Sequence, residues 1–230
     1  MRNHFRIGLA AAFVVGLSAP AATAKAPQEW DGLQRVKSKK FDSVYLLPGA
    51  DFRPYTKVML ADPQAAFSKD WQRNMNDTND LDRHISDKDK EAMLEKAKAG
   101  LRDSFTKAYT AAGYQVVNTP GPDTLLVTTA AINLYVNAPD LVSAEIVRSY
   151  SREAGEATVA VQASDSVSGK VLGRAVDERT IGDDLTYRRT SVSNRSDFSM
   201  AFDQWAKASA AGLTKLKEMS PVDTAGNTKK

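Results

Sequence analysis

Between Glu156 and Thr180 the chain alternates in character, turns once, and alternates back. Ala157, Val159, Val161 and Ala163 fall on one side of the first run, against Glu156, Thr158, Ala160 and Gln162. A period of two puts successive side chains on opposite faces of a strand. Ser166-Val167-Ser168-Gly169 supplies the turn, and Lys170 to Thr180 the returning strand. A hairpin with one apolar side must be part of a larger sheet that something covers.

The rest of the chain provides both. Thr124 to Val136 is rich in Leu, Val, Thr and Ile and reads as a long strand buried on much of both faces. Tyr55 to Ala61 is a further strand. Pro63 lacks an N–H, so pairing must break there or run along an edge, and Ala65-Ala66-Phe67 resumes the strand. Val44 to Leu47 reads as a loop anchor or a short edge strand, and Tyr114 to Asn118 as a short strand before the Thr119–Asp123 turn.

Two helices stand out. Over 86–112, Leu94, Ala97, Leu101, Phe105, Ala108 and Ala112 recur at spacings of three and four, a single buried stripe. Ser86 is its predicted N-cap with Asp89 reaching back, and Gly113 its stop. A second stripe, Phe198, Phe202, Trp205, Ser209 and Leu213, predicts a helix over about 197–217 capped by Ser196. The fold class is therefore α+β. It is a two-layer sandwich in which two helices cover a mixed, mostly antiparallel sheet.

The first 24 residues have another character. Arg2 and Arg6 precede an apolar run from Ile7 to Ala19, and Ala22-Thr23-Ala24 has the pattern of a signal-peptidase site. Such a run makes about 20 Å of helix, short of a ~30 Å hydrocarbon core. We read residues 1–24 as a cleaved signal peptide, 25–219 as a single α+β domain and 220–230 as a disordered polar tail. No later segment is apolar enough for a membrane span. Pro20 stands where a lipoprotein signal needs Cys, so no lipid anchor is expected.

Composition narrows the chemistry. The 230 residues contain no Cys, which removes disulfides, thiol nucleophiles and thiolate metal sites together. The net charge is +3, and losing Arg2 and Arg6 lowers it to +1. Nucleic-acid binding needs a more concentrated basic face than that. Lys25 to Lys40 is the most basic stretch and reads as a solvated arm.

No catalytic constellation assembles. His84 sits in a polar run, and no G-x-S-x-G elbow exists. Asp80, Asp82, His84, Ser86 and Glu91 match a calcium loop poorly, with Ile85 where such a loop turns on Gly. Helix capping and solubility explain the acids there, and no metal or cofactor is expected. Asp177, with Asp183 or Asp184, is a weak candidate for carboxylate chemistry. Leu141, Val142, Ile146, Val147 and Tyr150 form a helix-like stripe between strands. Leu141, Ile146, Val147 and Tyr150 would dock a partner, or the segment would fold back as a cover over the open sheet face.

Four stretches together resemble a bacterial envelope family called domain of unknown function 3313. They are Tyr55 to Pro63, Pro120 to Leu125, the hairpin from Asp165 to Arg179, and Phe202-Asp203-Gln204-Trp205-Ala206. The resemblance implies an exported protein, with Asp62, Pro63, Asp177, Phe202 and Trp205 as structural markers and no catalytic residue to transfer. The expected function is that of a periplasmic, non-enzymatic binding or structural component of the envelope, partnered by an envelope protein or a small ligand. The alternatives are a hydrolase using loop carboxylates and a small-ligand carrier.

Overall fold

A computed structural model describes residues 26–78, 84–137, 149–151, 154–182, 187–189 and 191–224. The leading segment is not an arm. Asp31 and Gly32, at φ of 52° and 78°, make a two-residue turn between strand β1 (Glu29–Trp30) and strand β2 (Leu33–Val36). Left-handed conformation at both central positions is what a tight hairpin requires. Strand β3 (Ser43–Leu46) pairs on both sides, so it lies inside the sheet and not at its edge.

Strand β4 (Lys57–Leu60) and strand β5 (Gln64–Phe67) lie either side of Pro63. Both run parallel to strand β7 (Thr124–Val136), β4 along its first half and β5 along its second. The break at Pro63 is thus a change of register on one neighbour. A missed helix follows, α1 (Trp71–Thr78). It contributes Trp71 and Met75 to a small second core with Ile85.

Helix α2 (Asp87–Ala111) has the predicted capping box, with the Ser86 side chain on the Asp89 N–H and the Asp89 carboxylate on the Ser86 N–H. Its other end is a Schellman motif: Gly113 N–H bonds Thr110 C=O, Tyr114 N–H bonds Tyr109 C=O, and Gly113 has φ of 87°. Strand β6 (Gln115–Val117) then pairs parallel with β4, completing the strand–helix–strand unit.

Strand β9 (Gly155–Asp165) and strand β10 (Val171–Ile181) form the predicted hairpin and join β7 to β3. Where β9 begins, Gly155 is essential, because a Cβ there would lie 1.8 Å from the Tyr135 carbonyl oxygen. Strand β8 (Ser149–Ser151) and strand β11 (Tyr187–Arg189) make a separate two-stranded sheet. Among the described residues the main sheet has nine strands in the order β1-β2-β3-β10-β9-β7-β4-β6, with β5 also on β7.

Helix α3 (Ser191–Met219) begins before the predicted cap, so Ser196 lies inside it. A Ser- and Asn-rich turn has weak helix propensity, and the chain overrides it. Beyond α3, residues 220–224 are docked and not a free tail. Val222 is buried and exchanges backbone bonds with Gly49 and Ala50. Ser220 Oγ accepts the Phe52 N–H, and Thr224 Oγ1 bonds Gln34.

The helices pack side by side and run parallel, as three hydroxyl bridges show. Ser104 meets Asp203 at 2.6 Å, Tyr109 meets Ser209 at 2.8 Å, and Tyr114 meets Thr214 at 3.2 Å. Beneath them Leu101, Phe105, Phe202 and Trp205 close on Val58, Leu125, Val127, Val159 and Val161 of the sheet. Observed class and expectation agree: α+β, a mixed sheet with helices over it.

Candidate functional site

The strand registers sort every sheet residue onto one of two faces. The face under the helices carries Val58, Leu125, Val127, Ala131, Val159 and Val161. The alternate positions form the outer face. Met59, Leu126 and Ser164 lie in one row across β4, β7 and β9, and Ala130, Ala160 and Val176 in another across β7, β9 and β10. Thr128, Gln162 and Arg174 form the row between them, and Ile132 pairs with Thr158. Met59, Leu126, Ile132, Ala160 and Val176 are half-buried, and none of them joins either hydrophobic core.

One side of this outer face is closed. Trp30 stands edge-on to Tyr45, with centroids 5.5 Å apart. The Arg174 guanidinium lies 4.5 Å from the Trp30 ring centroid, donates to Gln162 at 2.9 Å, and pairs with Asp31 at 2.6 Å. The β1–β2 hairpin therefore folds over the sheet at β3 and β10 and leaves the rows over β7, β9 and β4 beside it.

Asp177 occupies the opposite face and is buried at 5% exposure. Its Oδ1 accepts the Asp42 N–H at 2.9 Å. Its Oδ2 accepts Arg179 Nε at 2.6 Å and the Trp205 indole N–H at 2.7 Å. Arg179 also lies over the Trp205 ring and donates to Gln204 at 2.7 Å. Asp42 answers across the strands by accepting the Glu178 N–H. The carboxylate thus fastens the start of β3, β10 and α3 together. Its predicted companions Asp183 and Asp184 lie outside the described residues.

Leu141, Ile146 and Val147 also lie outside the described residues. Tyr150 is on β8, where its backbone pairs with Arg188. His84 is exposed, with Nε2 3.4 Å from Asn76 Nδ2. Asp165 closes the β9–β10 turn: Ser168 donates to it through hydroxyl and backbone N–H, both at 2.7 Å. Those bonds, from the hydroxyl first, hold its carboxyl below the usual range. Tyr55 donates to the same carboxylate, and burial first and that bond second push its phenol up to about 12.

Among the described residues no group of three His, Cys, Asp or Glu could hold a metal ion. A depression of about 340 Å³ runs along α2, between Asp87, Lys90, Glu91, Leu94, Glu95 and Lys98. It is a shallow, charged helix surface, not a cleft between the layers. Sequence reasoning missed the outer face as a unit. Thr124–Val136 reads from its composition as buried on much of both faces, and pairing registers are needed to separate its alternate residues and join the rows.

Together these features define a two-layer α+β domain whose sheet is helix-covered on one face and presents apolar and hydroxyl side chains on the other. The chain belongs to the family described as "Protein of unknown function (DUF3313)", which matches residues 23–209. No curated protein matches it. It is similar to a protein from Xanthomonas campestris with the family model DUF330, at 11% identity and TM-score 0.41, over 75% of this chain and 89% of that one. A minor lipoprotein from Acinetobacter baumannii is similar at 12% identity and TM-score 0.31, over 70% and 94%. A DUF4136 family protein from Bacteroides thetaiotaomicron is similar at 13% identity and TM-score 0.35, over 81% and 98%. At these values the likenesses carry nothing about function. Among the described residues no helix is long and apolar enough to cross a membrane.

Proposed function

We propose that this protein is exported to the periplasm, through cleavage after Ala24, and serves as a non-enzymatic binding or structural component of the cell envelope. The observation that carries this reading is the outer sheet face. Leu126, Ile132, Met59, Ala160 and Val176 share that face and lie outside both cores. Apolar rows either side of the Thr128, Gln162 and Arg174 row suit a protein partner that combines apolar contact with hydrogen bonds. In this reading Leu141, Ile146, Val147 and Tyr150 belong to the same partner-binding surface.

Asp177 fits this proposal as a fastening and not as a base. Three donors hold it: the Asp42 N–H, Arg179 Nε and the Trp205 indole N–H. A general base must reach a substrate proton, and this one is enclosed by its donors.

The test is photo-crosslinking in cells, with the reactive residue placed at Leu126 or Ile132 and, for comparison, at exposed Lys207 on α3. One recurrent envelope protein captured from the sheet positions and not from Lys207 is the expected result. Equal capture from all three, or none, overturns the reading. Amino-terminal sequencing of the periplasmic fraction should begin at Lys25, and a chain starting at Met1 would remove the export step.

A further inference from the structure

The loop joining β2 to β3 runs from Lys37 to Asp42, and its first four residues, Lys37-Ser38-Lys39-Lys40, are all exposed. It is built, not slack. Ser38 Oγ accepts the N–H groups of Lys40 and Phe41, both at 3.1 Å. Phe41 and Val36 anchor its two ends in the main core. Arg35, at its base, donates to the carbonyls of Asp42 at 3.2 Å and Ala26 at 3.5 Å. Asp42 is the next acid along the chain, and its carboxylate is turned to the Glu178 N–H.

Lys57, Lys98, Arg53, Arg73, Arg102, Arg174 and Arg179 each pair with a carboxylate. Four cations within six residues, Arg35, Lys37, Lys39 and Lys40, have no ion pair among the described residues. An unneutralised cluster held on a rigid turn attracts anions with little ordering cost.

We propose that this hairpin tip is a contact for an anionic lipid surface, its ammonium groups set among phosphate headgroups. Three features select a surface over other polyanions. The tip is the end of a hairpin and forms no groove to track a polymer. Lysine ammoniums are point charges, suited to a field of phosphates more than to one bidentate ligand. Its one aromatic side chain, Phe41, is buried in the core, so none is offered to stack a sugar or base. The inference rests on the envelope reading for the presence of such a surface, but its test does not.

The test is cosedimentation of the purified protein with vesicles of phosphatidylcholine alone or with about 30% phosphatidylglycerol, at about 50 and about 500 mM salt. Binding to the anionic vesicles that is lost at high salt is expected. Replacing Lys37, Lys39 and Lys40 together by Gln should lower partitioning roughly a hundredfold, at about fivefold per lysine. Thermal stability should not change. Replacing exposed Lys88, Lys107 and Lys207 by Gln, an equal loss of charge, should leave it within about twofold.

The proposal is overturned if anionic vesicles are not bound, or if plain phosphatidylcholine is bound as well. Equal weakening by the two triple variants also overturns it. So does displacement by inorganic phosphate or a soluble acidic polysaccharide at concentrations matching the lipid phosphate. None of these outcomes touches crosslinking from Leu126, so the two proposals fail separately.

Discussion

The two faces of the central sheet are made by the same strands, residue by alternate residue, and they differ in what closes them. On one face Leu125, Val127 and Val159, all at 1% exposure or less, meet the rings of Phe105 and Trp205. On the other, Leu126, Thr128 and Ala160 are one position away in sequence and half-buried. The first face also contains a fastened charge, Asp177, whereas the outer face has its charge at the rim, in Arg174 and Asp31. A one-residue offset therefore separates side chains of the main core from side chains that join neither core.

That contrast can be broken by mutation. The largest effect should come from Phe105→Ala, which empties a ring-sized volume between the layers and should cost about 3–5 kcal/mol. Asp177→Asn keeps the shape but sets an amide N–H₂ among three donors. It should cost about 2–3 kcal/mol, each bond to a charged group being worth about that order. Urea unfolding would measure both. If Asp177→Asn left stability intact while abolishing a hydrolytic activity, the fastening account would be wrong.

Deleting residues after Met219 removes the buried Val222 and should cost about 1.5–3 kcal/mol, the value of one buried aliphatic side chain. On the outer face, Leu126→Ser should cost about 1 kcal/mol or less, because that side chain sits in no core. It should nevertheless lower crosslinking yield. A loss comparable to Phe105→Ala would mean that the outer face is covered within the molecule. Ile146→Asp sharpens the same point: lost stability marks a cover, and retained stability a docking surface.

The smallest effect is a pH dependence. The Asp165 carboxyl has a folded pKa below its unfolded value, so the stability it confers is complete above about pH 4 and lost as pH falls through the folded value. Asp165→Asn should flatten that acid limb and leave the melting temperature less sensitive to pH between about 2 and 4. A parallel shift at every pH would instead show that the turn itself had changed.

Legibility in the sequence followed the length of each pattern. Thr124–Val136 is a long run of strand-favouring residues, the hairpin after it repeats its period many times, and helix α2 added a capping box and a terminal Gly, so boundaries there fell within a residue of where they were read. Short elements lack that redundancy. Helix α1 has two turns and shows only Trp71 and Met75 as its buried pair. The β1–β2 hairpin offered one cue, Asp31-Gly32, which reads equally as punctuation in a loop. Val222 is a single apolar residue in a polar stretch, and its burial depends on Gly49 and Ala50 far away in the chain. Asp177 and Arg179 are two residues apart on one strand, but the Trp205 indole bond depends on helix placement. The outer face needed registers that no local pattern encodes.

The clasp of residues 217–224 has a consequence for the order of events during synthesis. Lys217 donates to the Tyr55 carbonyl across 162 residues, Phe52 to Ser220 across 168, and Thr224 to Gln34 across 190. A ribosome delivers residues 34–55 long before their partners exist, and contacts of such separation are among the slowest to form. The early strands must wait unlatched while the hairpin and helices assemble. A reporter fused directly after Met219 would leave only the Lys217 contact, whereas one fused beyond Thr224 would let the whole latch close.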